Sequence, residues 1–570
     1  MSGSQDWTAF FFGSSDPGNS ITVDKPPLSL WIMSLSVRLF GLSSWSILVP
    51  QAVMGVLTVF LVYSLVRKYF DPATALLAGF FMSVTPVATV MFRYNNPDGL
   101  LTLIMVGIAY SVLEAIRRER IAWLLLAGAL TGAGFLTKQL QVVLVLPAVG
   151  LAYLLFARAS PLNRVMHLMA AALTAAVAGG WWFVAVQLIS PADRPFIGGT
   201  RQNNVIELTL GYNGLDRLTG EDATRTMSGS AVAAAEKLDP GFQRFLQPQF
   251  SGQFGWFLPL AIAGLCVAVW YIWRGRGSPA KRAFLLLCST WFLCAASVLA
   301  FMSGIVHPYY ALTAVPALCC LAAVGLGYLL RNISRWRVKS AMGLTLIATL
   351  VLAFISAARS TADFPDLPQV LAVVGAVVIA LQLVPTPSLR IRIASGSILI
   401  AALGAGPGMW SVNTVLSPHV GAGVVAGPSI LGIRTDHPDR KQLVPGMPPS
   451  FTAVMFGDVP AQSVLERLRH AQPSATWAAA VVGSETAANY QLESGRAVLP
   501  IGGFDGTDPY PTLAQFQDMV LHRRVGAVVI QNLPPLTLEG RGESAKIVEW
   551  VKANYPAEIV DGAEYYGLVP

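Results

Sequence analysis

Apolar runs of 16 to 22 residues recur along most of this chain, divided by short polar segments. Each is close to the roughly 20 residues an α-helix needs to cross a bilayer's hydrocarbon core. The pattern predicts twelve spans, near 46–66, 73–91, 98–116, 121–136, 140–157, 167–188, 254–273, 283–303, 309–330, 341–357, 369–385 and 393–412. Residues 28–40, "LSLWIMSLSVRLF", are too short to span and are interrupted by Arg38. They read as an amphipathic helix lying in the interface. No solenoid or transporter-type repeat is visible.

Composition agrees: 54% of residues are hydrophobic and 12% charged, with mean hydropathy +0.56. Soluble domains carry about 25% charged residues. The net charge of +8 suggests nucleic acid until the charges are placed. One set of inter-span loops holds 17 basic residues: Arg67, Lys68, Arg117, Arg118, Arg120, Arg158, Arg164, Arg274, Arg276, Lys281, Arg282, Arg331, Arg335, Arg337, Lys339, Arg390 and Arg392. The short loops of the other set hold Arg93, Lys138 and Arg359. The positive-inside rule makes the first set cytoplasmic, so the basicity marks topology rather than nucleic-acid binding. Residues 1–45, the loop 189–253 and the tail 413–570 then fall outside. "MSGSQDWTAFFFGSS" lacks the basic start and apolar core of a signal peptide.

The five cysteines all lie in predicted spans, so no disulfide framework is expected outside, and no Cys/His cluster has zinc spacing. The 189–253 loop is long enough to carry function or act as a lid. From 413 the pattern changes. "TWAAAVVGSETAANYQLESGRAVLPIGGF" reads strand, helix, strand; "AQFQDMVLHRRVGAVVIQ" reads helix, strand; "ESAKIVEWVKANYP" is an amphipathic helix stopped by proline. These alternating elements predict a small α/β domain. Its loops "VGSETA" and "GGFDGTDP" fit neither a dinucleotide nor a phosphate-loop fingerprint, so no nucleotide cofactor is expected.

Candidate chemistry collects at the outer ends of the spans. In "SSDPGNSITVDKPPLSLW", Asp24 and Lys25 precede two prolines that fix the backbone ahead of the interfacial helix. They are either a polar cap or a site pair. In "RYNNPDGLL", Asn96 or Asp98 could cap the next helix. Asp98 also opens an apolar run, where an ionisable group is costly unless paired or functional. Lys138 in "FLTKQLQ" either snorkels to headgroups or binds a phosphate as a point charge. His307, Tyr309 and Tyr310 in "SGIVHPYYALTAVPAL" either anchor at the interface or bind a lipid phosphate. Carboxylates can activate a hydroxyl or hold a divalent metal, and lysines can neutralise a phosphate leaving group. Such a set suits transfer from a phosphate-linked, membrane-embedded donor to an external acceptor. A transporter or flippase of lipid-linked sugar would favour polar residues at mid-span. A receptor with the tail as sensor leaves the charges at 24–25, 98 and 138 without a role.

These stretches, with "RQNNVIELTLGYNGLDRLTG" and "VLPIGGFDGTDP", resemble in joint order the bacterial GT-C membrane glycosyltransferases. That group is related to protein O-mannosyltransferases and the lipid A aminoarabinose transferase, and the likeness is strongest to its YkcB-like mannosyltransferase branch. The resemblance implies a GT-C fold of about twelve transmembrane helices, thirteen in a full-length relative, at the cell membrane, with the α/β tail outside the cytoplasm. It implies that a first helix and the opening of the first outer loop precede residue 1. Neither Asp6 nor Asp16 matches the acidic motif of that opening. It further implies inverting transfer of a sugar, mannose by default, from a polyprenyl-phosphate donor to a protein, lipid or cell-wall glycan. By the same likeness Asp24 and Asp98 are catalytic and would hold a divalent cation, Mg or Mn. Lys25, Lys138, His307, Tyr309 and Tyr310 would bind the donor phosphate.

Overall fold

The computed structural model describes residues 2–215, 219, 240–303, 306–359, 363–383, 389–419, 421, 423–428, 453, 456–471, 474–533 and 542–568. Its first part is a bundle of apolar helices: α1 (Leu28–Phe40), α2 (Ser44–Arg67), α3 (Pro72–Val84), α4 (Asp98–Arg118), α5 (Ile121–Lys138), α6 (Leu146–Phe156), α7 (Pro161–Leu188), α8 (Leu258–Trp273), α9 (Pro279–Phe301), α10 (Val315–Arg331), α11 (Trp336–Ala358), α12 (Leu367–Leu383) and α13 (Leu389–Leu416). Eight stretches among the described residues are long and apolar enough to cross a membrane, and four shorter apolar helices accompany them. Every expected span falls on one of these. The chain is a multi-pass membrane protein.

Three departures from the hydropathy pattern shape the site. The span expected at 73–91 breaks between α3 and a short helix, Pro86–Met91. Pro86 has no N–H to give the preceding turn, and Thr85 stays extended. The Thr85 hydroxyl instead donates to the Phe81 carbonyl at 2.6 Å. The span expected from 309 opens as a 3₁₀ turn, Pro308–Thr313, before α10. Between α5 and α6 no polar loop intervenes. A 3₁₀ segment, Gln139–Val145, joins them. Gln139 stands at φ 49° and ψ −127°, a region nearly reserved for glycine. The chain reverses there, because Arg158 after α6 reaches Glu119 before α5 at 2.8 Å. Lys138 therefore sits at the apex of a hairpin.

The bundle's two ends differ in charge. At one end buried Glu114 accepts from Lys68, Arg117 and Arg118, Arg331 pairs with Asp71, and the Lys281 ammonium lies 4.0 Å above the Phe70 ring. At the other end lie the hairpin apex, the 308–313 turn and the start of α4.

The C-terminal part is a five-stranded sheet in the order β2-β1-β3-β5-β4. Strands β1 (Ala479–Val482), β2 (Val498–Ile501) and β3 (Ala527–Ile530) run parallel, and β5 (Ala563–Gly567) and β4 (Glu558–Val560) continue antiparallel. Helices Gln462–Arg469, Ser484–Ser494, Leu513–Leu521 and Gly542–Asn554 lie among the strands. Separate apolar clusters, one around Trp477 and Phe516 and one around Tyr490 and Leu465, form its core. This is the α/β domain read from the alternating pattern.

The domain docks on the chain's first loop. Trp477 Nε1 donates to Asp16 Oδ1 at 2.7 Å, and Gly18 packs against the same indole. Asp16 is fully buried, also accepts from Ser20, and has its proton affinity raised by that burial. Its role is to join the two parts.

Candidate functional site

At the start of α4, Pro97 stands at the N-cap without a side-chain bond, and Asn96 closes the turn ahead of it. Its Oδ1 accepts the Asp98 N–H at 2.9 Å. The Asp98 carboxylate turns inward. Its Oδ2 accepts from Lys138 Nζ at 2.5 Å, with 1% and 9% of the two side chains exposed. Asp98 Oδ1 is buried and has no hydrogen-bond partner among the described residues. A buried acceptor left empty is costly, and such an atom suits a ligand hydroxyl.

Lys138 also faces aromatic rings. Its ammonium is 4.5 Å from the Tyr310 ring centroid and 5.4 Å from that of Tyr309, within cation–π range. His307 stacks on Tyr309 at 5.0 Å and meets Tyr310 edge-on at 5.3 Å. The tight 3₁₀ turn Pro308–Thr313 sets the two tyrosines perpendicular, 5.1 Å apart. Five of the seven residues expected to act together thus form one continuous assembly.

Asp24 and Lys25 form a second group. Lys25 Nζ bridges both carboxylate oxygens of Asp24 at 2.9 and 3.0 Å, about a fifth to a quarter exposed. A π-helical turn, Leu208–Leu215, links the two groups. Asn213 Nδ2 donates to the Asp24 carbonyl at 2.7 Å, and Thr209 Oγ1 accepts from Gln139 Nε2 at 3.0 Å. The part of the 189–253 loop at 216–218 and 220–239 lies outside the described residues.

Four residues escaped the sequence reading. Gln139 is fully buried beside Lys138, and its Oε1 has no partner among the described residues. Its orientation is fixed by chemistry: the one Thr209 proton goes to the Val205 carbonyl at 2.8 Å, so Thr209 can only accept from the amide nitrogen. Gly199, at φ +78°, lies over Asp24; a Cβ there would stand 3.2 Å from the Asp24 Cβ. Asp508 Oδ2 accepts the Gly199 N–H at 2.9 Å. Glu485 lies near enough to Asp24 to feel its charge. Burial, then the Asp24 charge, pushes the Glu485 carboxyl up to about 7. Burial is also the main cause at Asp508, pushed up to about 8, with Asp505, Asp24 and Glu207 adding to it against the Gly199 bond. One sequence signal pointed here. Glu485, in the first turn of the helix after parallel strand β1, and Asp508, in the glycine-containing loop after β2, lie at the edge where open α/β sheets place functional groups.

Among the described residues no group of three His, Cys, Asp or Glu side chains is arranged to hold a metal ion. Both expected metal ligands already carry a lysine ammonium. A divalent cation on Asp24 and Asp98 would have to displace a lysine, so these side chains do not fit one as they stand.

Two known sequence families match parts of the chain. Residues 24–182 match the one described as "Dolichyl-phosphate-mannose-protein mannosyltransferase", an interval that opens on Asp24 and includes Lys25, Asp98 and Lys138. Residues 464–554 match "Putative mannosyltransferase YkcB-like, C-terminal", which includes Glu485 and Asp508. The "Putative mannosyltransferase YycA" of Bacillus subtilis is 26% identical over 99% of this chain and 90% of its own length. The "Putative mannosyltransferase YkcB" of the same organism is 27% identical over 96% and 86%. Among solved structures, ArnT from Cupriavidus metallidurans bound to undecaprenyl phosphate superimposes with a TM-score of 0.56 at 18% identity, covering 99% of this chain and 93% of that one. The overall fold is shared.

Proposed function

We propose that the chain is a GT-C membrane glycosyltransferase like the YkcB-like proteins it resembles, and that it moves a sugar from a polyprenyl-phosphate donor to an acceptor outside the cytoplasm. Mannose is the sugar favoured by the names of the relatives. The acceptor is a hydroxyl of a protein, lipid or cell-wall glycan. The basic end of the bundle faces the cytoplasm, and the end bearing Asp98, Lys138 and the α/β domain faces outward.

One observation carries this reading: an almost buried lysine, Lys138, held between a carboxylate and two tyrosine faces at the end of an apolar bundle. An ammonium in so dry a setting is a strong point charge for a phosphate. The His307–Tyr309–Tyr310 cluster forms the wall beside it.

The two lysines divide the work. Lys138 fixes the donor phosphate against the membrane end of the site. Lys25, about a quarter exposed, leaves Asp24 for the incoming phosphate. Asp24 then acts as the base. The acceptor oxygen attacks the anomeric carbon from the face opposite the phosphate, and its proton passes to Asp24. The bond from that carbon to the phosphate oxygen breaks with its electron pair on the oxygen, and the polyprenyl phosphate leaves with its charge met by Lys25 and Lys138. The configuration inverts. Asp98 Oδ1 and Gln139 Oε1, two buried acceptors beside Lys138 without a partner among the described residues, orient hydroxyls of the bound sugar.

The test is transfer by the purified chain in proteoliposomes, using defined polyprenyl-phosphate sugars and analysing the anomeric configuration of the product. Transfer with inversion is expected. Binding of every such donor with no transfer to any hydroxyl acceptor would overturn the proposal in favour of lipid-linked sugar movement.

A further inference from the structure

Asp24 reaches its place through a short piece of backbone pairing. Phe196 N–H donates to the Ser20 carbonyl at 3.0 Å, Thr22 N–H to the Phe196 carbonyl at 2.8 Å, and Gly198 N–H to Thr22 Oγ1 at 3.0 Å. Residues 196–199 therefore lie along 20–24, with Gly199 directly over Asp24. The other side of this segment is gripped by the C-terminal domain. Tyr510 stacks on Phe196 at 5.3 Å and 19°, and Asp508 takes the Gly199 amide. Gly199 has a left-handed φ of +78° and no room for a Cβ beyond contact with Asp24 and Tyr212, so the turn tolerates little displacement.

We propose that Asp508 is a positioning residue of the transfer site: by holding the Gly199 amide it seats the 196–199 segment on Asp24, so that the C-terminal domain sets the geometry of the Asp24–Lys25 pair. The inference rests on the transfer reading above. Asp508 does not touch the reacting atoms. It acts through Gly199, and the shape of the Asp24 recess then depends on a domain more than 450 residues downstream of the loop it shapes.

The charges around Asp508 give the arrangement a pH dependence. Asp505 faces it from its own loop, Asp24 from the first loop, and Glu207 from the segment after Gly199. All three are acidic. An uncharged Asp508 accepts the amide without repelling Asp24, and ionisation near pH 8 adds a negative charge beside the base and the donor phosphate.

The experiment compares the full-length chain with Asp508→Ala and Asp508→Asn in proteoliposomes, measuring kcat, KM for the donor and the pH profile, with hydrogen exchange on the same samples. Misplacement of a reacting group by about 1 Å costs about a hundredfold in rate. Asp508→Ala is expected to lower kcat about tenfold or more with KM nearly unchanged, and to speed exchange over 22–26 and at Gly199. Asp508→Asn keeps an oxygen for the Gly199 amide and is expected to restore kcat while abolishing the decline of transfer above about pH 8. Full kcat in Asp508→Ala, or an asparagine variant as impaired as the alanine one, overturns the proposal. Hydrogen exchange separates the two possible failures. A wild-type chain that transfers nothing overturns the transfer reading, whereas unchanged exchange over 22–26 in Asp508→Ala overturns the positioning role.

Discussion

Lys138 meets Asp98 at 2.5 Å across two helices, and each depends on the other to be buried at all. Removing one partner of a buried pair costs about 3–5 kcal/mol because a charge is left uncompensated. Asp98→Asn and Lys138→Met are each expected to lower thermal stability in detergent and to abolish transfer. The double variant has no stranded charge. Its stability is expected to recover by about 2 kcal/mol or more while transfer stays lost. A double variant as unstable as the sum of the singles would contradict the pairing.

The Asp24–Lys25 pair behaves differently, because both side chains are about a fifth to a quarter exposed. Exposed pairs contribute about 0–1 kcal/mol. Lys25→Ala is expected to leave the unfolding temperature nearly unchanged and to raise KM for the donor. Asp24→Asn is expected to lower kcat with little effect on KM. Unaltered kinetics in both would remove this pair from the site.

Gln139 predicts an unusual order of variants. The residue sits where only glycine is unstrained, at φ 49° and ψ −127°. Gln139→Ala keeps the strain and loses the Thr209 bond. Gln139→Gly loses the same bond and releases the strain, worth about 1–3 kcal/mol. The glycine variant is therefore expected to unfold at a higher temperature than the alanine variant, the reverse of the usual order. Both lose the Oε1 acceptor, so both are expected to raise KM for the donor sugar.

The raised carboxyls fix how stability varies with pH. The ordinary values are 4.5 for Glu485 and 3.8 for Asp508, against about 7 and about 8 in the folded protein. Between those limits the folded form binds more protons than the unfolded one, so stability falls as pH rises. The contribution is fully present below the ordinary values and lost once pH has passed about 8. Glu485→Gln is expected to flatten the first part of that fall, seen as unfolding temperature measured from pH 4 to 9.

With each carboxylate occupied by a lysine, transfer is expected to survive chelation. EDTA treatment followed by assay without added Mg or Mn should change the rate by less than about twofold, whereas a metal that supplies several kcal/mol of transition-state stabilisation would leave a far larger loss. Loss of transfer restored by Mn would place a metal on Asp24 and Asp98 after all.

How much of this was legible beforehand varied with the range of the interaction. Span positions, the α/β tail and the Lys138 outlier follow from local pattern and from the cost of charge in hydrocarbon, and the structure keeps them. The Asp98 side chain left two options open because capping and catalysis draw on the same residue types; the structure places its carboxylate on Lys138 rather than on the helix end. Glu485 and Asp508 were hidden for another reason. Their role depends on docking between segments more than 300 residues apart, and neither local periodicity nor spacing carries that. The broken span at Thr85–Pro86 was written in the sequence by the proline, and the run of apolar residues masked it.

The bond from Trp477 to Asp16 joins residues 461 positions apart, and it has a consequence for how the protein is made. Domains fold as they emerge from the ribosome at about 5–20 residues per second. The loop that carries Asp24 is synthesised well before the domain that grips it. During translation that loop waits, at about those speeds, for some tens of seconds before its partner exists. On the proposed function, competence for transfer is thus withheld from a nascent chain until this domain has emerged, and a chain interrupted before it is released without the partner of its first loop.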